Sequence, residues 1–194
     1  MTLVWCLLAG MAQAQPQTIR VAVLENAPPL GYRDAEGNLT GFAVSIARAL
    51  CTEIGARCEF EATRLESLIE RLAAGYFDVA AIGLLNTPER SQKVLFTKAV
   101  YRSVTLWVAR PGIQPGDLGA RISIFRGSAH ETYAKAQHWQ VIGAQTEAEM
   151  IEQLAAGVAQ GAIAPLMTSL SLQKSPVFQQ LGLKVTVLQQ PELA

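Results

Sequence analysis

Residues 78–101, DVAAIGLLNTPERSQKVLFTKAVY, decide the fold. Val79-Ala80-Ala81-Ile82 is a short apolar run, the kind that forms a strand covered on both faces. Gly83 then lets the backbone turn with no side chain in the way. Asn86, Thr87 and Pro88 read as turn, N-cap and first helical residue. Arg90 follows inside that first turn, where a cation faces the positive end of the helix dipole. From this stretch alone two readings stand side by side. Arg90 is a solvated surface arginine, or it is held there for something negative.

Outward from this segment, strands and helices alternate. Ile19 to Leu24 is a first strand, 27–32 a Pro/Gly loop and 34–38 a turn. Gly41-Phe42 opens a helix with Phe42, Ile46, Leu50 and Ile54 on one face. A strand covers Cys58 to Glu61, and Thr63 with Glu66 forms a capping box for a helix that ends at Gly75. Val104 to Val108 is another strand. Arg110-Pro111-Gly112 with Pro115-Gly116 is the best linker in the chain. Beyond it come strands at 121–125, 139–142, 161–164 and 183–188. The helices among them are capped by Ser128-x-x-Glu131 and Thr146-x-x-Glu149. IERLAAG at Ile69 matches IEQLAAG at Ile151, and a strand follows each. This repeat argues for two α/β lobes of like architecture. The expected layout is lobe 1 over 15–110, a linker over 111–117 and lobe 2 over 118–188.

The 194 residues carry no net charge, and 16% are charged, so no basic stripe for nucleic acid is expected. Leu3 to Ala9 followed by Ala12-Gln13-Ala14 reads as a secretory signal over 1–14, although no Lys or Arg precedes the apolar run. Cys51 and Cys58 flank a short glycine-containing turn and could meet at disulfide distance or remain buried thiols. The two histidines, His130 and His138, lie eight apart on one expected helix and are not adjacent ligands for one metal. No phosphate loop, nucleophile elbow or zinc-helix motif occurs, so no cofactor or metal is expected.

The buried strand, the turn, TPER and LFTKAVYRS together resemble the central segment of the bacterial extracellular solute-binding proteins of family 3. The resemblance runs from Thr18 onward. It implies a two-lobed α/β fold of the type II periplasmic binding class, with the ligand in a cleft between the lobes. It also implies a periplasmic receptor, monomeric if complete, that serves an inner-membrane ABC permease. The segment LCTEIGARCEF resembles the histidine- and lysine/arginine/ornithine-binding members, which carry a bridge at this spacing and so imply a Cys51–Cys58 disulfide. In this family a helical C-terminal segment returns to the first lobe. Residues 189–194 would only begin that return, so a shortened chain with exposed apolar surface on lobe 1 is expected.

Open α/β sheets bind ligands beyond the carboxyl ends of their strands. That placement, which the family shares, gathers Ala27, Leu65, Gly83, Leu85 and Arg90 from one lobe and Ser128, Ala129, His130 and Pro165 from the other. The resemblance implies that Arg90 grips a ligand carboxylate, with Ser128 and its helix N-terminus facing it. The other half of the family's site is altered. Leu24 and Pro165 stand where acids are expected, Ala27 replaces an aromatic and Leu85 a hydroxyl residue. The expected ligand is therefore a small carboxylate or amino-acid-like solute. A cyclohexadienyl dehydratase-like enzyme is the competing reading, with Glu25 and His130 as the only cleft groups able to move a proton. A detached sensory domain and an inactive gene fragment are weaker alternatives.

Overall fold

β1 (Thr18–Val23) is the strand on which the first lobe is built: its last three residues are fully buried, as a strand covered on both faces requires. The computed structural model describes residues 17–188. The expected signal peptide over 1–14 and the expected return crossing over 189–194 lie outside the described residues. After β1, the loop and turn between residues 26 and 40 form a small antiparallel sheet of β2 (Asn26–Ala27), β3 (Gly31–Arg33) and β4 (Leu39–Thr40). Then come α1 (Phe42–Glu53), β5 (Arg57–Ala62), α2 (Leu65–Ala73), β6 (Val79–Ala80) and the single turn α3 (Pro88–Ser91). β1 runs parallel to β5 on one side and to β6 on the other. Val44 and Ala47 of α1 pack on Val21 and Val23, while Leu68 of α2 packs with Ala22 and Phe77 on the opposite face. The first lobe is a sheet with a helix on each side.

The second lobe contains β7 (Thr105–Ala109), β8 (Arg121–Phe125), α4 (Ala129–Ala136), β9 (Gln140–Ala144), α5 (Glu147–Ala155), β10 (Gly161–Pro165), α6 (Leu166–Lys174), α7 (Pro176–Gln180) and β11 (Lys184–Val187). Its sheet order is β11-β7-β10-β8-β9. β8, β9 and β10 are parallel, and β7 runs antiparallel to both β10 and β11. The repeated IE-x-LAAG segments become α2 leading to β6 and α5 leading to β10. The two caps of this lobe form as the sequence suggests. Ser128 Oγ accepts the Glu131 N–H at 3.1 Å and Thr146 Oγ1 accepts that of Glu149 at 3.1 Å. Each is worth about 1 kcal/mol to its helix.

Three expectations differ from the structure. β7 belongs to the second sheet, so the chain crosses between lobes before Thr105, and the Pro/Gly segment at 111–117 joins two strands of one lobe. All five β7 residues are buried, and only the larger sheet supplies a partner on each edge. Second, α1 buries Val44, Ala47 and Cys51 and leaves Phe42, Leu50 and Ile54 exposed. The smaller residues let the helix approach β1 closely, which the bulkier stripe would prevent. Third, the Thr63–Glu66 capping box does not form. Arg64 is the N-cap of α2, without a side-chain bond, and Thr63 instead accepts from Arg71 Nη1 at 2.9 Å. Ser175-Pro176 starts the short helix α7, with Ser175 Oγ accepting the Val177 N–H.

Cys51 and Cys58 are bridged, with Cα atoms 6.1 Å apart, and the bond ties the end of α1 to the start of β5. The closed loop is short, with a sequence separation of 7, so its entropic contribution is on the order of 2 kcal/mol. Replacing both cysteines by serine should lower the unfolding free energy by about that amount, measured by urea denaturation at equal protein concentration. An unchanged denaturation midpoint would show that the bridge adds nothing.

Candidate functional site

The site lies where the ends of the first lobe's strands face the first turn of α4. Arg90 is carried there by α3, a turn that local chemistry places well. Pro88 is at N1, and Thr87 Oγ1 accepts the Arg90 N–H at 3.3 Å. The Arg90 side chain is only 9% exposed. Its Nη1 donates to the Leu85 carbonyl at 3.0 Å and its Nη2 donates across the cleft to the Gly127 carbonyl at 2.9 Å. Among the described residues no carboxylate forms an ion pair with it. Burial lowers its pKa, and the nearby charge of Glu89 opposes the shift only in part. A buried guanidinium held by two neutral carbonyls keeps most of its electrostatic demand for an anion.

From the opposite lobe, Ser128 and His130 are both buried at the start of α4. The Ser128 hydroxyl oxygen caps Glu131, which leaves its O–H free to donate. His130 Nε2 lies 2.8 Å from Thr105 Oγ1. Burial first, and the Arg90 charge second, push the His130 pKa down to about 4, so the imidazole is neutral at pH 7. Ala129 is half-buried beside it. Thr105 was not singled out from sequence, yet it is 5% exposed and pairs in register with Pro165 at the end of β10. Its only sequence signal is a hydroxyl residue opening a strand.

In the first lobe, Leu65 opens α2 and Ala27 lies in β2, both half-buried. Leu85 packs against the second lobe's cluster around Trp107 and Ile124, so its side chain bridges the lobes while its carbonyl holds Arg90 within its own lobe. Gly83 does not present an open backbone face. A Cβ there would meet the Tyr101 hydroxyl at 1.7 Å, because Tyr101, stacked edge-on with Phe42, lies over it. Pro165 is half-buried and, like Leu24, supplies no charge. Glu25, the acid nearest to Leu24 in sequence, is committed to Arg33 at 2.7 Å. A cavity of about 130 Å³ follows the seam between the lobes, lined in part by Leu65, Glu66, Glu89, Arg90, Gly127 and Thr132. None of the helices among the described residues is long and apolar enough to cross a membrane.

Two α/β lobes with a buried arginine in the cleft between them define the class of two-lobed binding proteins. Residues 19–157 match the model of the bacterial extracellular solute-binding proteins, family 3, and the chain belongs to that family. The histidine-binding periplasmic protein of Salmonella typhimurium is 30% identical over 154 residues, 74% of this chain and 59% of that protein. The lysine/arginine/ornithine-binding periplasmic protein of Escherichia coli is 27% identical over 140 residues, 70% of this chain and 54% of that protein. The chain thus spans less than two thirds of the length of these relatives. Among solved structures, an ancestral arginine-binding protein bound to arginine superposes with a TM-score of 0.75 at 25% identity, covering 90% of this chain and 81% of that one.

The neutral His130 makes stability depend on pH. In the unfolded chain its pKa returns to about 6.5, so between about pH 6.5 and 4 the unfolded state binds more protons than the folded one. Stability should therefore fall on acidification through that window, by roughly 2–3 kcal/mol at its acid end. His130→Gln should flatten this part of a melting-temperature profile; an unaltered slope between pH 6.5 and 4 would remove His130 as its cause.

Proposed function

We propose that this protein is a periplasmic receptor that holds a small carboxylate-bearing solute, a free carboxylate or an amino acid, between its lobes and delivers it to an inner-membrane ABC importer. The observation that carries the reading is Arg90, a buried cation in the cleft whose side chain meets only carbonyl partners among the described residues. A ligand carboxylate arriving there gains a charge-assisted fork from Arg90, a donor from Ser128 and the N-terminal dipole of α4. Family membership and the amino-acid ligands named for the relatives support the same reading. It also favours binding over catalysis, because Glu25 is paired with Arg33 and His130 with Thr105.

The ligand's amino group finds less in this site. Leu24 and Pro165 offer apolar contact where an ammonium would need a counter-charge. A carboxylate whose α-amino group has been removed should then bind at least as well as the parent amino acid. Titration calorimetry with L-arginine, L-histidine and their deaminated analogues checks this. Tighter binding of the amino acids by about 1.4 kcal/mol, tenfold, would reverse the assignment. On the best of these ligands, Arg90→Ala should cost at least tenfold in affinity. Arg90→Lys should also be impaired, since a point charge does not reproduce the fork. Full affinity in Arg90→Ala would move the anion site elsewhere.

A further inference from the structure

Gly127 is where the second lobe rests on the first. A Cβ built on it would stand 2.4 Å from Glu66 Cα, 2.7 Å from Glu66 N and 3.0 Å from the carbonyl carbon of Leu65. These obstacles are backbone atoms in the first turn of α2, which cannot swing aside as a side chain would. Both polar groups of Gly127 are engaged. Its N–H donates to Glu131 Oε2 at 2.7 Å, and its carbonyl receives Arg90 Nη2 from the opposite lobe. Its φ of +73° also favours glycine. The contrast with other left-handed glycines is informative. Gly55, Gly75 and Gly112 have nothing within 4 Å of a built Cβ, so conformation alone explains them. At Gly127 the close approach of the other lobe is a second and separate requirement.

We infer that Gly127 is a positioning residue that sets how far the cleft closes: its bare backbone lets the first turn of α4 seat on the first turn of α2. The seat places the Gly127 carbonyl under Arg90 and brings Ser128 and His130 up to the guanidinium. Any side chain at 127 would have to push the lobes apart there by about 1 Å to reach ordinary van der Waals separation. The chain crosses between the lobes before β7, so a displacement at residue 127 would open the cleft and draw the donors of α4 away from Arg90. The inference rests on the reading of this cleft as the ligand site, but its first test needs no ligand.

The experiment compares Gly127→Ala and Gly127→Asn in the full 194-residue chain with the unaltered protein. Asparagine tolerates the left-handed backbone yet still carries a Cβ, so it separates obstruction from strain. Gly112→Asn, at a left-handed glycine with open surroundings, is the control. In small-angle scattering without ligand, both Gly127 variants should show a larger radius of gyration than the unaltered protein and the control. L-arginine is the binding probe, and its affinity should fall about tenfold in the Gly127 variants and stay unchanged in the control. A Gly127→Asn scattering curve that superposes on that of the unaltered protein overturns the inference. If no form binds L-arginine while the scattering difference holds, the closure role stands and L-arginine is excluded as the ligand. If Gly127→Ala fails to fold, Gly127→Asn decides.

Discussion

One guanidinium ties this structure together. Arg90 leaves a short capped turn in the first lobe, donates to its own lobe at Leu85 and reaches the second lobe at Gly127. Burying a cation is costly unless its charge and donors are met. Here the donors are met in part by carbonyl oxygens while the charge is not met by any ion-paired carboxylate among the described residues. That imbalance is what supports the proposal of an anionic ligand here. It also makes the lobe–lobe contact local, because the same bond that orients the arginine depends on the second lobe being seated.

The topology shows how the crossing is tied to the second lobe. β7 and β11 lie side by side at one edge of the larger sheet, and β10 pairs with β7 on its other side. The Leu188 N–H donates to the Thr105 carbonyl at 2.9 Å, so the start of β7 and the residue after β11 are joined at the crossing. Pro165 at the end of β10 sits in register with the same Thr105, whose hydroxyl meets His130. The crossing and the cleft therefore share a residue, and one hydrogen bond links that residue to the first turn of α4.

The two halves of the cleft differ in kind. Arg90, Ser128 and the start of α4 form a polar side, with Glu66 and Glu89 along the same cavity. Leu24, Leu65, Leu85 and Pro165 add apolar surface, and His130 adds a neutral ring. Tyr101 covers Gly83, so the backbone there is shielded by a side chain that the sequence places eighteen residues away. The carboxylate-bearing solute proposed above would meet charge on one side of the cleft and mainly apolar surface on the other.

Much of this was legible in the chain itself. The TPER turn, the two serine and threonine caps and the repeated IE-x-LAAG units are set by interactions within a few residues, so the sequence determines them alone. The cysteine spacing allowed a bridge and the position of Arg90 in a first helical turn allowed a ligand role, but in each case the family resemblance, not the residues alone, chose between the readings. Tertiary structure decided the rest. The sheet that β7 joins depends on which edges are open once both lobes form, and a Pro/Gly-rich turn carries no information about that. The face of α1 that is buried depends on how closely β1 must approach, so Val44 and Ala47 displace a bulkier stripe. Thr105, Tyr101 and Gly127 enter the site only because segments distant in sequence meet there. Local pattern specifies elements, since their hydrogen bonds close within a turn or along one strand. Pairing, burial and the geometry of a cleft are long-range contacts, and those exist only in the folded chain.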